Sequence, residues 1–202
     1  MLRTIAALTV VAALFGAPAV AEDAANKATA VATFAAGCYW CVESDFDHVK
    51  GVVDTTPGFM GGKTENPTYK EVSSGTTGHT EVVNVTYDPA VVTYQQLLDH
   101  YWVNVDPLDA GGQFCDRGSQ YRPAIFVYND EQRKLAEGSK KAIEDSKRFK
   151  DPVVVEIVPV SAFTPAPDPD FYKTNSIRYK FYRAGCGRDA RLQQLWGDKA
   201  GH

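Results

Sequence analysis

Several scarcities narrow the reading of this chain. It contains no long basic run and no basic patch with interleaved aromatics, so nucleic acid is not an expected partner. Past the first 21 residues no apolar stretch reaches the roughly 20 residues that a membrane span needs. Internal repeats and low-complexity segments are absent. Histidines are few, and His79 has no second histidine at a ligand spacing, so it reads as structural. Cysteines number four: Cys38, Cys41, Cys115 and Cys186. One Cys-x-x-Cys pair plus two isolated cysteines lacks the paired spacing of zinc modules, which makes a four-cysteine zinc site a weak alternative. Charge is also modest, formally −4 at pH 7.

What is present begins with a leader. Arg3 supplies a positive start, Ile5–Phe15 an apolar core and Ala19-Val20-Ala21 a small-residue cleavage signal. Cleavage after Ala21 is expected. The alternative, an uncleaved membrane anchor, needs a longer apolar run than this one. The expected organisation is therefore a signal peptide over 1–21, a flexible N-terminus over 22–29 and one catalytic domain over 30–202. The destination is a bacterial periplasm or the cell exterior, with no membrane contact after cleavage. An oxidising compartment normally pairs cysteines in disulfides, so a catalytic thiol there needs a dedicated source of electrons.

Periodicity predicts strands at Val31–Ala36, Glu81–Tyr87, Tyr121–Tyr128 and Val153–Val160, and Val52–Phe59 reads as a short extended segment ending in a Gly-rich turn at Gly58-Phe59-Met60-Gly61-Gly62. Helices are predicted at Cys38–Val49, from Thr93 to about Asn104 with Gln96 completing a capping box, and over 130–149 behind Asn129 with Gln132 in the box position. Asn66-Pro67-Thr68-Tyr69 reads as a turn, Val105–Ser119 as a long functional loop and 163–170 as a Pro-rich loop. Two short helices, about 171–182 and 189–196, flank Gly185-Cys186-Gly187. Several connections are too short for parallel crossovers. The expected fold is α+β, a two-layer sandwich of a mixed or antiparallel sheet of four to six strands with helices mainly on one face.

Chemistry concentrates at Gly37-Cys38-Tyr39-Trp40-Cys41, directly after the first strand. A cysteine at a strand-to-helix corner lies near backbone N–H groups and the positive end of the helix dipole, which favour the thiolate. Tyr39 and Trp40 read either as core or as a pocket for a methyl or thioether group. Glu81, walled by Val82 and Val83, reads either as a solvated strand end or as a proton donor with a raised pKa. Tyr69 and the polar run Asp116–Arg122 share that ambiguity. The reactive reading requires a sulfur that is ionised, open to solvent and next to a protonated acid.

Four motifs stand in the order seen in type A peptide-methionine sulfoxide reductases, which this chain resembles. They are Gly37-Cys38-Tyr39-Trp40, Asn66-Pro67-Thr68-Tyr69, Ser74-Gly75-Thr76-Thr77-Gly78-His79-Thr80-Glu81 and Asp116-x-Gly118-x-Gln120-Tyr121-Arg122, all within about 30–130. The resemblance implies the α+β fold of that family and the thiol-dependent reduction of methionine S-sulfoxide, free or in oxidised peptides and proteins. It assigns Cys38 as the nucleophile and Tyr39 and Trp40 as the methyl pocket. Glu81 becomes the proton donor, Tyr69 and Tyr121 the hydrogen-bonding partners of the sulfoxide oxygen, and Asp116 a support for the polar network. Cys38 would become a sulfenic acid and condense with a second thiol. No prosthetic cofactor is implied; an external thiol reductant, thioredoxin-like, closes the cycle.

This sequence departs from the family pattern at the second thiol. Position 41 is usually glycine there, and the usual glycine-rich tail with its cysteines is replaced by Gly185-Cys186-Gly187. Flanking glycines suit a mobile resolving residue, so Cys186 is favoured over Cys41. Cys115 reads as a buried spectator rather than a second shuttle thiol. Val105-Asp106-Pro107 replaces the family's His-Asp-Pro and reads as a packing change. The competing reading is a thiol–disulfide oxidoreductase built on Cys38-x-x-Cys41, locally similar to thioredoxin.

Overall fold

A computed structural model describes residues 28–201, so the predicted leader and most of the predicted flexible N-terminus lie outside the described residues. Six strands form one sheet: β1 (Ala30–Ala35), β2 (Val52–Met60), β3 (Thr80–Tyr87), β6 (Ala124–Val127), β7 (Glu156–Pro159) and β8 (Thr164–Pro165). Their spatial order is β7-β6-β1-β3-β2-β8. All neighbours are antiparallel except β6 and β7, which pair in parallel. The sheet is mixed, as the short connections require. A two-strand hairpin, β4 (Gly112–Gln113) and β5 (Asp116–Arg117), stands apart.

Helices cover one face. α1 (Tyr39–Asp47), α3 (Tyr94–Trp102), α4 (Asp130–Asp145) and α7 (Arg188–Trp196) enclose the main core against β1, β3 and β6. Phe34 of β1 stacks on Phe46 of α1 at 4.8 Å between ring centres. Burying a ring of this size contributes about 2–3 kcal/mol. On the opposite face, Ala35, Met60, Val82, Ala124 and Phe126 are covered by Val158 of β7 and by Val160 and Phe163 of the chain between β7 and β8. No helix among the described residues is long and apolar enough to cross a membrane.

Local rules explain most boundaries. Thr93 and Gln96 form the reciprocal capping box that starts α3. Asn129 caps α4, but Gln132 bonds Tyr128 N–H instead of closing a box. That helix stops at Asp145, short of the expected 149, because Lys147 turns left-handed at φ 54°. The expected strand at 121–128 is shortened by Pro123, which has no N–H for the ladder, so only Ala124–Val127 pair. Residues 153–155 stay out of the edge strand β7 because Val154 N–H bonds Pro107 O. The expected turn at 66–69 starts a helix, α2 (Tyr69–Ser73), whose capping box is made by Thr68 and Glu71. The end of the chain holds α5 (Phe171–Thr174), α6 (Ser176–Cys186) and α7. Cys186 thus ends a helix instead of sitting in a glycine loop.

Candidate active site

The strand–helix corner is built around Gly37, at φ 90°. A Cβ there would meet the Gln113 Cβ at 2.6 Å, so glycine lets the β4–β5 hairpin close against the corner. Cys38 caps α1, its carbonyl accepting from Cys41 N–H (3.0 Å) and Val42 N–H (3.3 Å). Its own N–H donates to Asp116. The side chain faces a cavity of about 240 Å³ lined by Tyr39, Trp40, Tyr69, Glu81, Asp116 and Tyr121, together with Arg178 and Tyr182. Five elements and two loops thus bring together every active-site residue expected from the sequence except the second thiol.

Glu81 is buried at the start of β3, 2 % exposed, and its Oε2 accepts from Tyr39 N–H at 3.0 Å. Burial pushes its carboxyl up to about 8, with the Asp116 and Asp168 charges adding to the effect and the Tyr39 N–H opposing it. The alternative of a solvated strand end is therefore excluded, and Glu81 holds its proton at neutral pH. Burial also raises Asp116, against the hydrogen bond from Tyr182. Tyr69 and Tyr121 are raised chiefly by burial and stay neutral as hydrogen-bond donors.

Cys38 overturns one expectation. It is only 8 % exposed. Burial, the hydrogen bond with Cys41 and the nearby Glu81 hold its thiol well above the ordinary range. The helix N-terminus is present, but desolvation outweighs it, so the resting group is a thiol facing an enclosed cavity. It is neither a thiolate nor open to bulk solvent. Cys41 is equally buried and lies lower than usual through its bond with Cys38 and the Arg188 and Arg183 charges.

Tyr39 and Trp40 are fixed by a residue that sequence reasoning missed. Tyr39 OH donates to Asp168, and Trp40 Nε1–H donates to the other Asp168 oxygen at 3.0 Å. Asp168 sits in Pro167-Asp168-Pro169, where two prolines stiffen the loop. Phe171 stacks on Trp40 at 3.8 Å between ring centres. Tyr182, also missed, donates to Asp116 at 2.5 Å and reaches Cys38. Its signal was position: it lies one helical turn before Cys186.

Beneath the corner, Arg188 is 2 % exposed. It donates to Ala36 O, Asn104 O and Asp45 and lies over the Phe114 ring at 4.5 Å. Arg183 holds the other Asp45 oxygen at 2.7 Å. His79 is structural as expected, bonding Thr64 O and Gly62 N–H. Val105 is fully buried, consistent with a packing change.

The remaining cysteines correct another expectation. Cys115 is exposed and joined to Cys186 in a disulfide, with Cα atoms 4.9 Å apart. It is not buried, because the hairpin turn carries it out to meet the end of α6. The four sulfurs form two separate pairs, so the four-cysteine zinc alternative has no geometric basis.

Comparison with known proteins agrees with this geometry. The family described as peptide methionine sulfoxide reductase matches residues 30–200. Peptide methionine sulfoxide reductase MsrA of Bacillus licheniformis is 52 % identical over 171 residues, 84 % of this chain and 94 % of that protein. Among solved structures, Mxr1 from Saccharomyces cerevisiae in reduced form aligns with a TM-score of 0.67 at 25 % identity, covering 75 % of this chain and 86 % of that one. Methionine sulfoxide reductase A of Corynebacterium diphtheriae aligns at 0.63 and 31 % identity, covering 76 % of each.

Proposed function

Given that this chain belongs to the peptide methionine sulfoxide reductase family, we propose that the Cys38 pocket is where it returns methionine S-sulfoxide to methionine. The chain is an oxidoreductase that acts on methionine sulfoxide, free or in peptides and proteins, through a cysteine sulfenic acid and an intramolecular disulfide. The observation that carries the site assignment is the convergence of a buried thiol, a protonated carboxyl and two aromatic rings on one small cavity.

The chemistry follows from those groups. Tyr39 and Trp40, locked by Asp168, enclose the methyl group. Tyr69 and Tyr121 donate to the sulfoxide oxygen, and Asp116 holds Tyr182 and the Cys38 backbone. Oxygen leaves sulfur poorly until it is protonated, and Glu81 supplies that proton. As the Cys38 sulfur attacks, the proton from its own thiol passes back to Glu81. The products are methionine and Cys38 sulfenic acid, and the proton count balances. A second thiol then attacks the sulfenic acid, forming a disulfide and releasing water.

Cys186 is the proposed second thiol, delivered from the end of α6. One observation favours a second reading: Cys41 already hydrogen-bonds Cys38, so it is placed to capture the sulfenic acid first. The donor of electrons is proposed to be an external thioredoxin-like dithiol, and the leader pattern supports export to the periplasm or beyond. Amino-terminal sequencing of the exported protein is expected to begin at Glu22; retention of residues 1–21 would overturn export with cleavage. The reaction itself is tested by mixing the fully reduced protein with methionine S-sulfoxide without further reductant. At least one methionine per chain and the loss of at least two thiols are expected; no methionine would overturn the reading.

A further inference from the structure

The molecule holds a second cleft, of about 500 Å³, on the other side of the disulfide. Its walls include Asp106, Asp109, Phe114, Asp151, Cys186 and Arg191. The boundary between this cleft and the Cys38 pocket is the Cys115–Cys186 bond. Cys186 lines the second cleft, while Asp116, next to Cys115, and Tyr182, one turn before Cys186, line the first. Phe114 and Cys115 form the two-residue turn of the hairpin closed by Gln113 and Asp116. Phe114 takes a left-handed φ of 54°, and Cys115 stands exposed at the tip.

The interior pair cannot serve an external partner. Cys38 and Cys41 are 8 % and 2 % exposed, and thiol–disulfide exchange needs an attacking sulfur to reach the bond. Cys186 has freedom to move: it is the last residue of α6, and nothing lies within 4 Å of a Cβ built on Gly185 or Gly187.

We propose that the second cleft is the docking site of the protein dithiol that supplies electrons, and that Cys115 is a working thiol of the cycle. The proposal rests on the reductase reading above. Cys186 first forms a disulfide with Cys38, releasing water from the sulfenic acid. The Cys115 thiolate then attacks Cys186, forming the Cys115–Cys186 bond and expelling Cys38 as a thiol ready for another substrate. A donor thiolate reaching through the cleft attacks Cys186, and Cys115 leaves. The donor's second thiol closes its own disulfide and frees Cys186. Two electrons enter as the donor's dithiol is oxidised and leave with the sulfoxide oxygen as water.

The test starts from the fully reduced chain. After one turnover, mass mapping is expected to find Cys115 joined to Cys186, with Cys38 and Cys41 free. A stable bond to Cys38 with Cys115 free would overturn the proposal while leaving the reductase reading intact; no methionine at all would overturn that reading instead. Cys115→Ser is expected to stop at a Cys38–Cys186 bond and to lose tenfold or more of its turnover with thioredoxin. Unchanged thioredoxin-driven cycling would refute the role of Cys115. The oxidised wild-type chain, mixed with a thioredoxin whose second cysteine is serine, is expected to trap on Cys186. Trapping on Cys38, Cys41 or Cys115, or none, would overturn the docking site. Asp151→Trp, an exposed position that fills the cleft, is expected to raise the KM for thioredoxin at least tenfold without changing turnover driven by dithiothreitol. An unchanged KM would count against the cleft.

Discussion

The two cysteine pairs occupy opposite environments. Cys38 and Cys41 lie buried beneath an aromatic wall, with protonated Glu81 beside Cys38 in the same cavity. Cys115 and Cys186 lie at the rim, one of them on an exposed hairpin tip. The contrast follows the chemistry each can support. Protonating a sulfoxide oxygen at neutral pH needs a carboxyl that water has not been allowed to ionise. Exchange with another protein needs access. A single pair cannot be both enclosed and exposed, and the fold separates the two demands by about one turn of α6.

The strongest way to break the contrast is to remove the interior sulfur. Cys38→Ser is expected to lower the single-turnover yield of methionine by three orders of magnitude or more, measured by chromatography of the quenched reaction. A full turnover in that variant would transfer the nucleophile's role elsewhere. Removing the acid comes next. Glu81→Gln is expected to slow sulfoxide reduction about 10²–10³-fold while leaving disulfide formation unchanged, as resolved by rapid quench. In the wild type the reduction rate should fall as pH rises through about 8, where Glu81 loses its proton. The variant should lack that descent.

The same carboxyl bears on stability. Folded Glu81 keeps a proton that the unfolded chain releases above about 4.5, so raising pH from 4.5 towards 8 weakens the fold. At pH 7 the burden is at most about 3 kcal/mol, and Glu81→Gln should melt several degrees higher there. No gain in Tm would show that the site stays wet.

A third perturbation strikes the support shared by both pairs. Asp45 lies between Arg183 and Arg188, with side-chain exposures of 4 %, 13 % and 2 %. Asp45→Ala leaves the buried Arg188 without its counter-ion and Arg183 with Asp189 alone, and is expected to cost about 3–5 kcal/mol, read by urea denaturation. The smallest effect is expected at Asp168. Asp168→Ala frees the Tyr39 and Trp40 rings and should reduce kcat/KM for the sulfoxide about tenfold, with the rate of disulfide exchange at the rim unchanged. An equal loss in both would mean that loop 163–170 supports the whole domain rather than the methyl pocket.

The interior region was far more legible in the sequence than the rim. Cys38, Glu81, Tyr69, Asp116 and Tyr121 carry local motifs, and the alternating pattern of β3 aims Glu81 at an apolar wall. Capping residues such as Thr93 and Asn129 announced their helices. The box made by Thr68 and Glu71 was just as visible, but Asn66-Pro67 drew the reading toward a turn. Protonation of Cys38 was misjudged because the helix end is a local signal, whereas the burial that overrides it, reinforced by the nearby Glu81, comes from long-range packing. The Cys115–Cys186 bond joins residues 71 apart, and no spacing rule connects a hairpin tip with a helix end. Asp168 was hidden for the same reason: a loop aspartate has no periodic partner.

Arg188 ties the last helix to Ala36 O, 152 residues earlier. During synthesis the nucleophile therefore leaves the ribosome long before the guanidinium that lies behind it. A nascent chain halted at Gly187 would have its sheet strands and its interior cysteines, yet Asp45 would face only one of its two cations. Completion of the catalytic corner is thus coupled to synthesis of α7, and products interrupted before it should be conspicuous to proteases.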